Sequence, residues 1–160
     1  MADIPHSSPV TGDILKNDGI AASTARRRKL LTAVYFLLIS AVMIGLCSRC
    51  SPLYPFNNWN DANCFFTTGK AMFSGKVVYR DIYEQKGILL YFLYGLCYLV
   101  SNKTFLGVYI LEVLCLTGFL ALAYDSALLF LRRRTALILM PIAAAVLCGS
   151  YSFYYGGSVE

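Results

Sequence analysis

Residues 105–131 read FLGVYILEVLCLTGFLALAYDSALLFL, an apolar run broken only by Glu112 and Asp125. A helix needs about 20 mostly apolar residues to cross a hydrocarbon layer of ~30 Å, and this run is longer than that. Two more apolar runs lie on either side of it. Residues 30–47 carry no charge and are just long enough to cross, and residues 135–159 carry no formal charge either. The composition agrees, since 58% of the 160 residues are hydrophobic and 14% charged, against about 25% charged in an ordinary soluble domain. The expected fold is all-α and integral to the membrane, with about three transmembrane helices, at 30–47, 105–131 and 135–154.

The net charge of +5 does not point to nucleic acid. Half of the basic residues stand in two clusters that flank apolar runs, Arg26, Arg27, Arg28 and Lys29 in one and Arg132, Arg133 and Arg134 in the other. Clusters placed there set membrane orientation. The first puts the N-terminus in the cytoplasm and the segment that begins at Ser48 outside, in a multi-pass protein of the cell membrane. A cleaved signal peptide is a poor fit, because the basic group lies far from Met1 behind a polar stretch. A lipoprotein is a poor fit too, because Leu46 and Arg49 precede Cys47 and Cys50 where a small residue is needed. Residues 1–29 are expected to form a disordered, basic cytoplasmic tail, with too little apolar surface to offset the entropy of ordering.

The outer segment, residues 48–104, carries turn signals at Ser51-Pro52, Tyr54-Pro55 and Asn57-Asn58. Ala62, Phe65, Phe66, Gly69, Met72 and Phe73 then follow at helical spacing. They predict a short amphipathic helix ended by Ser74-Gly75, lying in the membrane interface with its phenylalanines dipped inward. Residues 87–102 are uncharged and aromatic-rich but short. If they span, Arg132 to Arg134 fall outside, against the positive-inside rule. As a second interfacial or re-entrant helix they leave those arginines cytoplasmic, which is the preferred arrangement.

Cys97, Cys115 and Cys148 lie inside apolar runs and read as small buried hydrophobes. Cys47 and Cys50 make a lone C-x-x-C with no second pair or histidine cluster beside it, so no metal site is expected. A bridge from Cys50 to Cys64 stays open. Glu112 and Asp125 sit inside an apolar run, where an ionisable residue is a functional candidate. Their spacing puts them on different faces of a helix. Asp125 is close enough to the arginines to pair with them, and Glu112 is suited to a polar cavity or to another helix.

Chemistry is concentrated in the outer segment. A carboxylate at the membrane surface could deprotonate an acceptor hydroxyl while a nearby cation neutralises a phosphate leaving group, which suits Asp61 and Lys86. The plainer alternative has Asp61 capping the amphipathic helix and Arg80 and Lys86 facing anionic headgroups.

The order of these features resembles the start of the GT-C class of glycosyltransferases, multi-pass enzymes related to the protein mannosyltransferases and the lipid A aminoarabinose transferases. The likeness rests on Asn58-Trp59-Asn60-Asp61, the amphipathic helix, then Ser74-Gly75-Lys76-Val77-Val78-Tyr79-Arg80-Asp81-Ile82-Tyr83-Glu84-Gln85-Lys86-Gly87 and an aromatic-rich helix. It covers residues 30–160.

The resemblance implies transfer of a hexosyl or pentosyl unit, with inversion, from a polyprenyl-phosphate donor to an extracytoplasmic acceptor. It implies Asp61 as the base, Glu160 as a second catalytic acid, and Lys86 as the residue that meets the lipid phosphate. Tyr79, Arg80 and Trp59 join Lys86 as candidate substrate-binding residues. The partners implied are the polyprenyl-phosphate sugar and membrane lipids. No cofactor is named, and a divalent-metal requirement is left open. Family members run to several hundred residues, so the chain is expected to be the N-terminal part of such an enzyme, inactive at this length. The alternative is a small non-enzymatic multi-pass protein that assists assembly or transport of lipid-linked sugars.

Overall fold

The structure, a computed structural model, describes residues 10–54, 56–150 and 153, with side chains described from Ala22 onward. Among the described residues there are five helices: α1 (Val10–Cys47), α2 (Asn60–Phe73), α3 (Ile88–Val100), α4 (Leu106–Ala127) and α5 (Arg133–Cys148). Among the described residues there is no strand, only a single bridge between Val78 and Ile82. Two helical segments, Ala22–Cys47 and Leu106–Ala127, are long and apolar enough to cross a membrane. The α5 helix has 16 residues with Pro141 inside it.

The chain divides after Tyr35 into two units. The first holds the beginning of α1, which is helical from Val10 where the sequence predicts a disordered tail over residues 1–29, of which 1–9 lie outside the described residues. Extending a helix costs far less than starting one. A helix nucleated in the apolar run can therefore carry on backwards through the basic cluster and the polar residues before it. The side chains of residues 22–31 along this stretch are all exposed.

The second unit contains two cores. In one, Phe36 and Ile44 from the end of α1 meet Val113, Leu116, Leu120 and Tyr124 of α4. The same core takes in Ala136, Met140, Ala144 and Cys148, every fourth residue of α5. Ala136 and Ala144 are fully buried, and such small side chains let helices approach closely in apolar surroundings. The Tyr109 hydroxyl donates to the Ala41 carbonyl at 3.0 Å and ties α4 to the end of α1.

The other core gathers Phe65 of α2, Tyr91, Tyr94 and Cys97 of α3, and Val108 of α4, with Cys50 and Val78 from the loops. Here the predicted stripe finds its partner. Phe65 lies against the Tyr94 ring at 5.7 Å, and Phe66 against Phe105 at 5.0 Å. The α2 and α3 backbones approach closely at Gly69, where a Cβ would sit 2.6 Å from the Gly95 nitrogen and 2.7 Å from the Tyr91 carbonyl oxygen. Much of the stripe is thus buried against α3 and the start of α4.

The run at 105–131 does not stay helical to its end. After Ala127 the chain tightens, with the Leu129 N–H bonded to the Ser126 carbonyl and the Phe130 N–H to the Ala127 carbonyl. Such three-residue spacings occur where terminal carbonyls lack α-helical partners, and they bring Arg132 to the start of α5.

Candidate catalytic loop

Two asparagines fix the start of α2. The Asn57 side-chain oxygen accepts the Trp59 N–H at 3.0 Å, and its amide donates to the Cys50 sulfur at 3.3 Å. The Asn63 amide donates to the main-chain carbonyls of Asn57 and Trp59, at 2.9 Å each. Trp59 is therefore the residue that precedes the helix, and it makes no side-chain cap bond. Asp61 does not cap the helix. It stands in the first turn, where the positive end of the helix dipole favours a carboxylate.

The loop that returns from α2 to α3 is held by its own polar groups. Asp81 accepts the Val77 N–H at 2.8 Å and pairs with the Arg80 guanidinium at 2.8 Å. The guanidinium, helped by the Val77 N–H, holds the Asp81 carboxyl below the usual range. Tyr79 takes φ +69°, the left-handed region that an L side chain adopts only at a cost of ~1–2 kcal/mol. Two bonds offset that cost: its N–H donates to the Ile82 carbonyl at 2.8 Å, and its hydroxyl donates to the Lys86 carbonyl.

Glu84 connects this loop to the helices. One carboxylate oxygen accepts the Cys64 thiol of α2. The other accepts the Gln85 N–H at 3.3 Å and the Tyr91 hydroxyl of α3 at 3.4 Å. The Tyr91 hydroxyl in turn accepts the Lys86 N–H at 2.9 Å. Lys86 is thus pinned at both main-chain groups, by Tyr91 on one side and Tyr79 on the other, and neither bond uses its ammonium.

Asp61 belongs to the same neighbourhood. It lies one turn before Cys64, and its charge acts on that thiol. The Cys64 thiol is pushed up to about 11, chiefly by its bond to Glu84, then by burial and by the charges of Glu84 and Asp61. Cys64 and Glu84 are thus bonded beside the anchored main chain of Lys86, and Asp61 lies one turn before Cys64 on α2. A carboxylate near a fixed lysine can accept a proton from a hydroxyl while the cation meets a phosphate.

Of the residues singled out in sequence, Lys86 and Tyr79 are joined by a hydrogen bond, Asp61 stands in the first turn of α2, Trp59 leads into that helix, and Arg80 is paired with Asp81. Glu160 lies outside the described residues. Glu84 and Tyr91 gave no separate signal, Glu84 being one polar residue among several before Lys86, and Cys64 stood out only as a possible bridge partner of Cys50. Among the described residues no group of three or more His, Cys, Asp or Glu side chains is arranged to hold a metal ion. Cys50 and Cys64 are both free, and burial pushes the Cys50 thiol up to about 12.

The thiol gives a direct check on the cluster. Cys64 is exposed, yet its raised value keeps it protonated at pH 8. Replacing Glu84 by Gln removes the charge that holds it so, and alkylation of Cys64 by iodoacetamide at pH 8 should quicken about tenfold, the lost nucleophilicity of a less basic thiolate included. Mass spectrometry of the Cys64 peptide reads the rate. An unchanged rate would mean that the Cys64–Glu84 bond does not persist.

A concave feature lies beside α4. A cavity of about 370 Å³ is lined mainly by apolar side chains, among them Leu90, Leu111, Phe119 and Leu147, with Tyr94 and Glu112 in its wall. The Glu112 carboxylate oxygens are buried, whereas Asp125, further along α4, is exposed.

Comparison of the chain with known protein families, curated proteins and solved structures finds no match.

Proposed function

We propose that this chain is the N-terminal part of a GT-C-like membrane glycosyltransferase that transfers a sugar from a polyprenyl-phosphate donor to an extracytoplasmic acceptor. In this proposal α1 and α4 cross the bilayer, and the apolar run that contains α5 makes a third crossing. The N-terminus is cytoplasmic, and α2 and α3 lie at the outer interface. The observation that carries the proposal is the Glu84–Cys64 bond one turn from Asp61, with the main chain of Lys86 anchored beside it by two tyrosine hydroxyls.

The reaction is a direct displacement. Asp61 takes the proton of the acceptor hydroxyl as its oxygen bonds to the anomeric carbon. The bond from that carbon to the phosphate oxygen breaks, its electron pair stays on the lipid phosphate, and the configuration inverts. Lys86 stabilises the phosphate as its charge grows. The apolar cavity beside α4 is large enough for part of a lipid chain.

The test is donor binding. In the longest natural polypeptide that contains these residues, Lys86→Ala should weaken retention of a polyprenyl-phosphate sugar about tenfold or more, since a hydrogen bond to a charged group contributes ~1.5–3 kcal/mol. Helix content by circular dichroism should not change. Equal retention by the variant would take Lys86 out of the donor site.

A further inference from the structure

We infer that the turn between α4 and α5, residues 128–134, is a tip that binds anionic lipid, with Leu129 and Phe130 entering the acyl layer and Arg132, Arg133 and Arg134 meeting the lipid phosphate. It does not depend on the transferase proposal, only on α4 meeting a membrane at its end.

The first observation is exposure. Leu129 is 78% exposed and Phe130 87%. Main-chain hydrogen bonds hold this turn, so the two side chains are presented by a fixed backbone. Adjacent large apolar side chains held in the open mark an interaction surface more often than a scattered surface leucine does.

The second observation is charge. The three arginines follow at once and are all exposed. The cations of this first turn oppose the helix dipole, and the first turn of α5 contains no acidic residue. Apolar side chains next to a basic cluster match the layering of a membrane surface, with acyl chains beneath phosphates, and each basic residue there attracts anionic lipid. The charge selects an anionic headgroup over a zwitterionic one. The apolar pair selects a lipid over free phosphate.

The experiment uses the full chain in detergent and measures binding of fluorescent phosphatidylglycerol and of phosphatidylcholine with the same chains. Wild type should prefer phosphatidylglycerol by about tenfold or more, counting roughly three- to fivefold for each arginine and some screening by salt. The Arg132→Gln, Arg133→Gln, Arg134→Gln triple variant should lose that preference, and Leu129→Ser with Phe130→Ser should weaken both lipids alike. If the triple variant loses helix content, Arg132→Gln and Arg134→Gln singly should each cost about threefold. The inference is overturned if the folded arginine variants keep the full preference, which would place it elsewhere in the chain, such as the cluster at Arg26 to Lys29. It is equally overturned if inorganic phosphate displaces the lipid as well as unlabelled phosphatidylglycerol does.

Discussion

Asp61→Asn is expected to lower sugar transfer by about 10²- to 10⁴-fold, the usual contribution of a positioned general base, and to leave membrane insertion and donor retention intact. Asparagine has nearly the shape of aspartate. Asp61 makes no cap bond, so the start of α2, fixed by Asn57 and Asn63, should survive. The structural loss is confined to the favourable placement of a charge in the first turn, worth ~0.3–1 kcal/mol. Turnover and donor retention, measured on the same preparation, separate the two effects. Transfer at the wild-type rate would remove Asp61 from the mechanism. Loss of donor retention together with transfer would make it a structural residue.

The second large effect is expected at Gly69. The atoms that a Cβ there would meet, 2.6 Å away at the Gly95 nitrogen and 2.7 Å away at the Tyr91 oxygen, are main-chain atoms of α3. A rotamer change cannot move them. In Gly69→Val the two helices must separate, and Phe65 loses its contacts with Tyr91 and Tyr94. The cost should therefore reach or exceed the upper end of ordinary overpacking, about 3 kcal/mol. Because the Tyr91 hydroxyl holds Glu84 and Lys86, donor retention should fall as well. Gly118→Ala is the control. Nothing lies within 4 Å of a Cβ at that position, and alanine in a helix interior gains about 0.5–1 kcal/mol over glycine. Thermal unfolding in detergent reads both variants. Equal midpoints for Gly69→Val and wild type would mean that α2 and α3 do not pack as described.

The helices were legible in sequence where periodicity or length decides them. The stripe from Ala62 to Phe73 predicts α2 within two residues of its observed start, and the aromatic stretch at 87–102 gives α3. What covers the stripe was not legible, because a period identifies a face and says nothing of its partner. The tight approach at Gly69 and Gly95 depends on two residues in different helices. The end of α4 was misplaced for another reason. Leu128 to Leu131 contain neither glycine nor proline, so nothing in the residue types marks the turn that follows Ala127. Residues 10–29 differ in the opposite sense, since a polar composition argues against a core but not against the extension of a helix begun elsewhere.

The candidate site was legible as charges and not as a network. Asp61 and Lys86 stand out in an apolar chain. Glu84 acquires its place only when folding brings Cys64 and Tyr91 to it, from residues 20 and 7 positions away. Tyr79 was grouped with the substrate-binding residues, and its hydroxyl is bonded to the Lys86 carbonyl. That bond and the Arg80–Asp81 pair hold the loop that presents Lys86.

The most direct measurement is turnover of a polyprenyl-phosphate sugar by the wild-type protein, in the longest natural polypeptide that contains these residues, with a membrane fraction as the source of acceptor. Release of polyprenyl phosphate together with an inverted glycosidic linkage on the acceptor is the expected result. Failure of the folded, membrane-inserted protein either to retain the donor or to release its phosphate would contradict the proposed transfer and leave a non-enzymatic membrane protein.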